Sequence, residues 1–351
     1  MSQGRTKVVL EYVWLDAEKK FRSKSRTLEV TGNDDLEVRN LPHWTYDGSS
    51  TGQASGDNSE IILKPVRLFN CPFRGNNAFL ILCDTYLPSD EPTESNTRYE
   101  ANAVFESAKE EEPWFGMEQE YFMVDKNTGK PVGWPRDGFP EQQGKYYCGV
   151  GSGRVFGRKV ADLHYKLCLG AGVNISGINA EVAPGQWEFQ VGPCTGIEAG
   201  DHMLMARYIL ERVAELSNTE VDYDPKPFAG DWNGSGCHTN FSTLNMRRGT
   251  GEKSGLDYIN DAIGSLKTTH IKDIVHFGTG NERRMTGSHE TSSLTTFTSG
   301  VADRGASVRI PLDTYKNKKG YFEDRRPASN CDPYTVTSRI FESVISNTSE
   351  D

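Results

Sequence analysis

Four glutamates in this sequence are spaced for metal chemistry. Glu118 and Glu120 lie two apart in residues 116–124, which read as a strand, and residues two apart in a strand project from one face. An isolated E-x-E commonly marks a solvated strand edge. Here Trp114, Phe115, Tyr121, Phe122 and Met123 surround the pair and point to a partly buried strand. Adjacent carboxylates repel unless a cation or a shared proton lies between them. A second pair occurs in residues 178–192, which read as a hairpin with Pro184-Gly185 at the turn centre. That register sets Ala183 against Gln186, Val182 against Trp187 and Glu181 against Glu188. At roughly 5 Å and an effective dielectric near 20, such opposition costs about 3 kcal/mol. Trp187, Phe189 and Val191 alternate onto the other face, which makes the strand part of a core. Two buried glutamates facing each other make most sense as ligands of a hard cation.

His238, in the glycine-rich stretch 233–242, and Glu323, in residues 321–327, gain weight only as members of this set. Carboxylates with one imidazole, and no Cys at zinc spacing, favour Mg2+ or Mn2+ over zinc. Arg283, Arg284, Arg304, Arg309, Arg325 and Arg326 crowd the last quarter of the chain and flank loops rich in Gly and Thr. Guanidinium forks suit phosphates and carboxylates. There is no G-x-x-x-x-G-K-[ST], and Gly149 to Arg154 (GVGSGR) matches a phosphate loop only weakly.

The elements that must carry these residues follow from pattern and breakers. Strands are expected at 7–15, 25–30 and 78–85, with a long loop at 44–57 and a polar, proline-containing linker at 87–96. A helix over 97–112 is stopped by Pro113. Helices also read at 157–169, 200–217, 256–269 and 333–346, with an Arg-, Gly- and Thr-rich tract over 278–299. No βαβ rhythm or internal repeat emerges, so the expected class is α+β.

A chain of 351 residues is long enough for two domains. Its formal net charge of −10 argues against nucleic acid or an anionic membrane as partner, and anionic substrates would need local arginines or metal. The seven cysteines are scattered without a C-x-x-C, as expected of reduced thiols, and no apolar run approaches a membrane span. A cytoplasmic location is the expectation.

Together the motifs resemble one family, glutamine synthetase, in its eukaryotic-type (type II) form. Tyr46-Asp47-Gly48-Ser49-Ser50 with Asn58-Ser59-Glu60 is similar to its N-terminal signature. Lys226-Pro227 through Asn233-Gly-Ser-Gly-Cys-His238 is similar to its ATP-region signature. The segments beginning at Gly116, Asn179, Ala306 and Tyr321 match in order, while Ser288 stands where an aromatic is usual. The resemblance implies a β-grasp domain over 6–90 and a catalytic domain over 97–351, built on a curved antiparallel sheet flanked by helices. It implies a homo-oligomer of stacked rings, a decamer, with active sites between subunits. Glu120, Glu181 and Glu188 would hold one Mg2+ or Mn2+; Glu118, His238 and Glu323 would hold a second.

The same resemblance implies that Trp114, Asn240, Ser242, Arg304, Arg309 and Tyr321, with Glu118 and Glu188, serve ATP. Arg284, with the backbone of Asp231, Trp232, Asn233 and Gly234, would hold L-glutamate. Asp47 would reach in from the adjacent subunit toward ammonium, and Ser50 would also bind substrate. Glu290 would ride a mobile flap, while Arg304 and Arg325 would stabilise phosphoryl charge. The implied reaction is ATP + L-glutamate + NH3 → ADP + phosphate + L-glutamine by way of γ-glutamyl phosphate. A ligase for a larger amine, or a non-catalytic assembly or sensor protein of the same fold, are the alternatives.

Overall fold

The alternation of apolar residues in the first ninety positions is converted into a five-stranded sheet. The computed structural model describes residues 5–346, apart from the side chain of residue 33. The chain divides into two units: the described residues up to Glu100 with Lys166–Val173, and Ala101–Tyr165 with the described residues from Asn174 onward.

The first unit contains β1 (Thr6–Leu15), β2 (Phe21–Val30), β3 (Trp44–Asp47), β4 (Glu60–Asn70) and β5 (Ala78–Tyr86). Their order is β2-β1-β5-β4-β3, with β1 parallel to β5 and the other neighbours antiparallel. Val8, Leu10, Tyr12 and Trp14 point from β1 into a core shared with Ile61, Leu63 and Ile81. Two expectations are corrected here. Residues 44–57 are not one loop, because they open with β3 and continue through short 3-10 turns. Strand β4 is an addition to the expected strands: Pro65 breaks its alternation, and the sheet absorbs it at a register shift between Pro65 and Arg67. Gly48, where β3 turns away, has no room for a side chain: a Cβ would lie 2.4 Å from Ile61 Cγ1.

Next come α1 (Thr97–Ser107), β6 (Trp114–Asp125), β7 (Lys130–Pro131), α2 (Arg158–Ala171), β8 (Ile175–Ala180), β9 (Gln186–Thr195) and α3 (Glu198–Leu216). They are followed by β10 (Thr219–Asp222), β11 (Cys237–Ser242), α4 (Leu244–Arg248), α5 (Gly255–Ile274), β12 (Ser299–Val301), β13 (Val308–Ile310), α6 (Leu312–Asn317), β14 (Phe322–Asp324) and α7 (Pro333–Ile345). The second unit's sheet runs β12-β13-β14-β11-β6-β9-β8, with β7 and β10 also on β6. It is mixed rather than wholly antiparallel: the segment carrying Arg304 returns the chain so that β13 runs parallel to β12.

Period-two alternation gives this sheet two unlike faces. Phe115, Met117, Gln119 and Tyr121 of β6, Trp187, Phe189 and Val191 of β9, and Cys237, Thr239 and Phe241 of β11 are all buried. Phe115, Phe241 and Phe322 join Phe105 and Phe341 in one aromatic group. Helix α3 is almost wholly buried and packs on β9 and α7. No helix among the described residues is long and apolar enough to cross a membrane.

Two buried arginines brace this face. Arg207 of α3 donates from Nε and Nη2 to Gln119 Oε1 at 2.8 and 2.5 Å, and from Nη1 to the Cys331 carbonyl at 2.8 Å. Arg326 is fully buried. It grips Asp324 through Nε at 2.9 Å and Nη2 at 2.6 Å, with Nη1 3.2 Å from His270 Nδ1. Arg326 therefore leaves the set of anion-binding candidates, since chain alternation puts it with Asp324 on the side opposite Glu323 and Arg325. Arg326→Ala should strand a buried Asp324 carboxylate and cost about 3–5 kcal/mol of stability. Urea unfolding checks this, and a loss below about 1 kcal/mol would contradict it.

Candidate active site

The other face of the sheet gathers ionisable side chains from five strands. Register places Glu118 opposite His238, Glu120 opposite Glu188, and Glu323 opposite both Asn240 and Arg309. All of these but Asn240 floor a cavity of about 370 Å³, closed by Glu181, Asn233, Gly234, Arg284, Glu290, Arg304 and Arg325 among others. Two groups stand out. Glu120, Glu181 and Glu188 offer ligand atoms within 4.8 Å of one another, as do Glu118, His238 and Glu323. Among the described residues no lysine or arginine stands within ion-pair distance of Glu120, Glu181 or Glu188, and the oxygen-rich donor sets of both triads suit a hard divalent cation.

The hairpin register differs from the expected one by two residues. Pro184-Gly185 does centre a turn, with Gln186 N–H donating to Ala183 O at 3.1 Å, but the strands then pair Ala180 with Trp187 and Asn179 with Glu188. Glu181 thus lies beyond the end of β8, with its N–H on Gln186 O at 2.9 Å, and the glutamate directly opposed to Glu188 is Glu120. Neighbours recruit the turn: Val182 O accepts from Gly144 N–H, and Gly185 O accepts from Met123 N–H, each at 2.8 Å. A two-residue shift preserves the side-chain face, so Glu181 still joins the cluster.

Burial pushes the carboxyls of Glu120, Glu181 and Glu188 up to about 8. Their mutual repulsion adds to the effect. Polar neighbours orient them. Gly236 N–H donates to Glu120 Oε2 at 2.8 Å, Asn179 Nδ2 to Glu181 Oε1 at 2.9 Å, and Gln190 Nε2 to both Asn179 Oδ1, at 2.8 Å, and Glu188 Oε1. In the second triad, His238 Nδ1 lies 3.8 Å from Glu118 Oε2 and 3.6 Å from Glu323 Oε1. Burial, then Arg325, holds its imidazole well below the ordinary histidine range, leaving it neutral and able to ligate.

The arginines sort into distinct roles. Arg309 Nε and Arg325 Nη1 bind Glu323, the latter at 2.7 Å. Arg284 donates Nε to Asn281 and Nη2 to the carbonyls of Arg325, Arg326 and Pro327. Burial lowers its guanidinium to about 10. Arg304 lines the cavity, whereas Arg283 pairs outside it with Asp224 at 2.9 Å. Glu290 sits in the loop 286–293, where it and His289 both take left-handed backbone with φ of 61° and 55°. Its carbonyl accepts from Arg325 Nη2 at 3.2 Å.

A second cavity, of about 520 Å³, is lined by Trp114, Asn240, Ser242, Arg247 and Tyr321, and it shares Glu118 with the first. Arg247 lies over the Trp114 ring at 4.0 Å. Asn240 Nδ2 donates to Glu118 Oε1 at 2.7 Å. Asn233 and Gly234 reach the first cavity, while the Trp232 ring is buried against Trp134 and Phe228 and Asp231 lies 3.2 Å from His289. Asp47 and Ser50 belong to the other unit. There Asp47 accepts from Ser49 Oγ at 2.6 Å and Ser50 Oγ at 2.5 Å, and these bonds depress its carboxyl to about 2. Asn179 and Gln190 are not among the residues expected from the sequence, although each lies two residues from a cluster glutamate on the same face.

In chelator-treated protein the three raised carboxyls bind protons more tightly folded than unfolded. Their contribution to stability is complete below the ordinary 4.5 and is lost as pH rises toward 8. The thermal midpoint should therefore fall across that window. Mn2+ should raise it more at pH 8 than at pH 5, because protons compete for the same oxygens. Glu120→Gln should shrink both effects. A metal-induced rise that is larger at pH 5 would contradict the assignment.

The chain matches two family models: the glutamine synthetase beta-Grasp domain over residues 7–88 and the glutamine synthetase catalytic domain over 94–347. A glutamine synthetase cytosolic isozyme 1-1 from Oryza sativa subsp. japonica is 53% identical over 348 residues, covering 98% of this chain and 96% of the relative. A cytosolic isozyme from Daucus carota is 52% identical, covering 98% and 97%. A chloroplastic glutamine synthetase from Brassica napus is 53% identical, covering 97% and 78%. With both models matched in order and such identity held over nearly its whole length, the chain belongs to the glutamine synthetase family, in its eukaryotic form.

Proposed function

We infer that this chain is a glutamate–ammonia ligase, converting L-glutamate, ammonia and ATP to L-glutamine, ADP and phosphate. The observation that carries the reading is the pair of acidic triads meeting at Glu118 and Glu120, one beside the arginine-lined cavity and the other adjoining the cavity of Trp114 and Tyr321. The family uses ATP and metal, and both triads fit a hard cation.

A carboxylate is a poor electrophile, so ammonia and glutamate alone give only a salt. Transfer of the γ-phosphoryl group of ATP to the side-chain carboxylate forms an acyl phosphate and ADP. Ammonia nitrogen then bonds to the acyl carbon as the carbon–oxygen bond to phosphate breaks. Trp114, Asn240, Ser242 and Tyr321 line the space assigned to the nucleoside. Arg284 and the backbone around Asp231, Trp232, Asn233 and Gly234 hold the amino acid. Arg304, Arg309 and Arg325 face the transferring charge. Two or more Mg2+ or Mn2+ ions, held by Glu120, Glu181 and Glu188 and by Glu118, His238 and Glu323, would neutralise phosphate charge during that transfer.

Ammonium must lose a proton before it attacks. Asp47, kept ionised by its serine hydroxyls, is assigned to bind it from a neighbouring subunit beside Ser50. Glu290 covers the acyl phosphate and shields it from water. Residues 6–90 and 97–351 are taken as the two functional domains, in a decamer of stacked rings. A cytosolic location follows the rice and carrot relatives, although the Brassica napus relative is chloroplastic.

Purified protein with ATP, glutamate, Mg2+ and ammonium should form glutamine and release phosphate in equal amounts. A preference for ethylamine or putrescine would favour the larger-amine ligase, and no turnover with either metal would favour a non-catalytic role. Glu120→Ala and Glu188→Ala should each lower kcat on the order of 10²-fold or more. Normal turnover in either variant would refute the ligand assignment. Native mass spectrometry tests the decamer.

A further inference from the structure

A loop that carries no charged ligand ties the two halves of the main cavity together. Gln143 and Asn233 are ninety residues apart in sequence and hydrogen-bonded twice. Gln143 Nε2 donates to Asn233 Oδ1 at 2.7 Å, and Asn233 N–H donates to Gln143 Oε1 at 2.8 Å. One primary amide thus engages both the main chain and the side chain of a single residue. The pairing also fixes which way the Asn233 amide is turned. Its oxygen is held by Gln143, so the Nδ2 group and the main-chain carbonyl remain for a ligand in the cavity that Asn233 lines. One donor and one acceptor on a rigid residue suit the carboxylate and ammonium of an amino acid.

The same loop also grips the metal-binding hairpin. Gly144 N–H donates to Val182 O at 2.8 Å and Cys148 N–H to Ala180 O at 2.9 Å, so the loop holds the carbonyls on either side of Glu181. Gly144 lies in the left-handed region at φ 102°, which lets the chain turn from the Asn233 clamp to the hairpin within one residue. Asn233 and Glu181 are consequently referenced to one another through Gln143 and Gly144 rather than through direct contact.

We propose that Gln143 is a positioning residue for the amino-acid substrate, orienting the Asn233 amide and setting its distance from the metal-binding Glu181. The inference rests on the reading that Asn233 and Gly234 hold glutamate. Gln143→Met keeps the volume and removes both hydrogen bonds. In the full chain it should raise KM for glutamate about tenfold, the size expected for losing two neutral hydrogen bonds. KM for ATP, Mn2+ affinity and the thermal midpoint should change little. Asn233→Ala should raise KM for glutamate as well, and adding Gln143→Met to it should bring no more than about a threefold further rise, because the two act as one unit.

A KM for glutamate within twofold of the parent in Gln143→Met, with Asn233→Ala impaired, overturns the proposal while leaving Asn233 as a substrate contact. Parallel rises in KM for ATP and glutamate with a lowered thermal midpoint also overturn it, as the mark of a merely structural residue. A glutamate KM unchanged by Asn233→Ala overturns the underlying assignment of that residue and the proposal with it.

Discussion

Repulsion among buried carboxylates is the constraint around which the site is organised. Glu120 and Glu188 oppose each other across β6 and β9, and Glu181 joins them from the hairpin turn. In a medium of low effective dielectric three like charges at this separation cost several kcal/mol unless neutralised. Burial accordingly raises all three carboxyls toward neutrality. A divalent cation at this cluster would resolve the conflict that protons otherwise resolve. Asn179, Gln190 and the Gly236 amide then decide where each oxygen points, which is the usual task of the groups behind a metal ligand.

The neighbouring triad is balanced differently. Glu323 is gripped by Arg309 and Arg325, while His238 is driven neutral by burial and by the same arginines. Positive and negative groups therefore alternate across a few ångströms of cavity floor. That mixture suits a phosphorylated substrate approaching with metal, because the arginines can exchange a carboxylate partner for phosphate oxygens without becoming buried and unpaired. Glu118 lies between the two triads and the two cavities, with Asn240 holding one of its oxygens.

Such a face can be held only by a rigid sheet. The aromatic group of Phe105, Phe115, Phe241, Phe322 and Phe341 fills the opposite side. Arg207 secures Gln119, the residue between Glu118 and Glu120, and Arg326 secures Asp324, the residue between Glu323 and Arg325. In both places the ligand-bearing strand is pinned from behind through the intervening side chain. The loops 141–149, 230–236 and 286–293 then supply what the strands cannot, namely the upper walls of the cavity.

Much of this was legible in the sequence because strand alternation is local. The i, i+2 spacing of Glu118 with Glu120 and of Glu323 with Arg325, and the apolar phase of Trp187, Phe189 and Val191, determined which side chains share a face. The motifs determined the family. What the chain alone could not decide was register and range. The Pro184-Gly185 turn is local and was readable, but the two-residue offset that sets Asn179, not Glu181, against Glu188 across the hairpin goes with bonds from Gly144 and Met123, which are distant in sequence. Strand β4 was hidden by Pro65 because a bulge is a property of a strand pair. Arg326 and Arg325 are adjacent and chemically alike, yet only the sheet's two faces make one a core brace and the other a cavity residue. The clamp of Gln143 on Asn233 left no trace in the sequence, since two amides ninety residues apart carry no periodic signal until the fold brings them together.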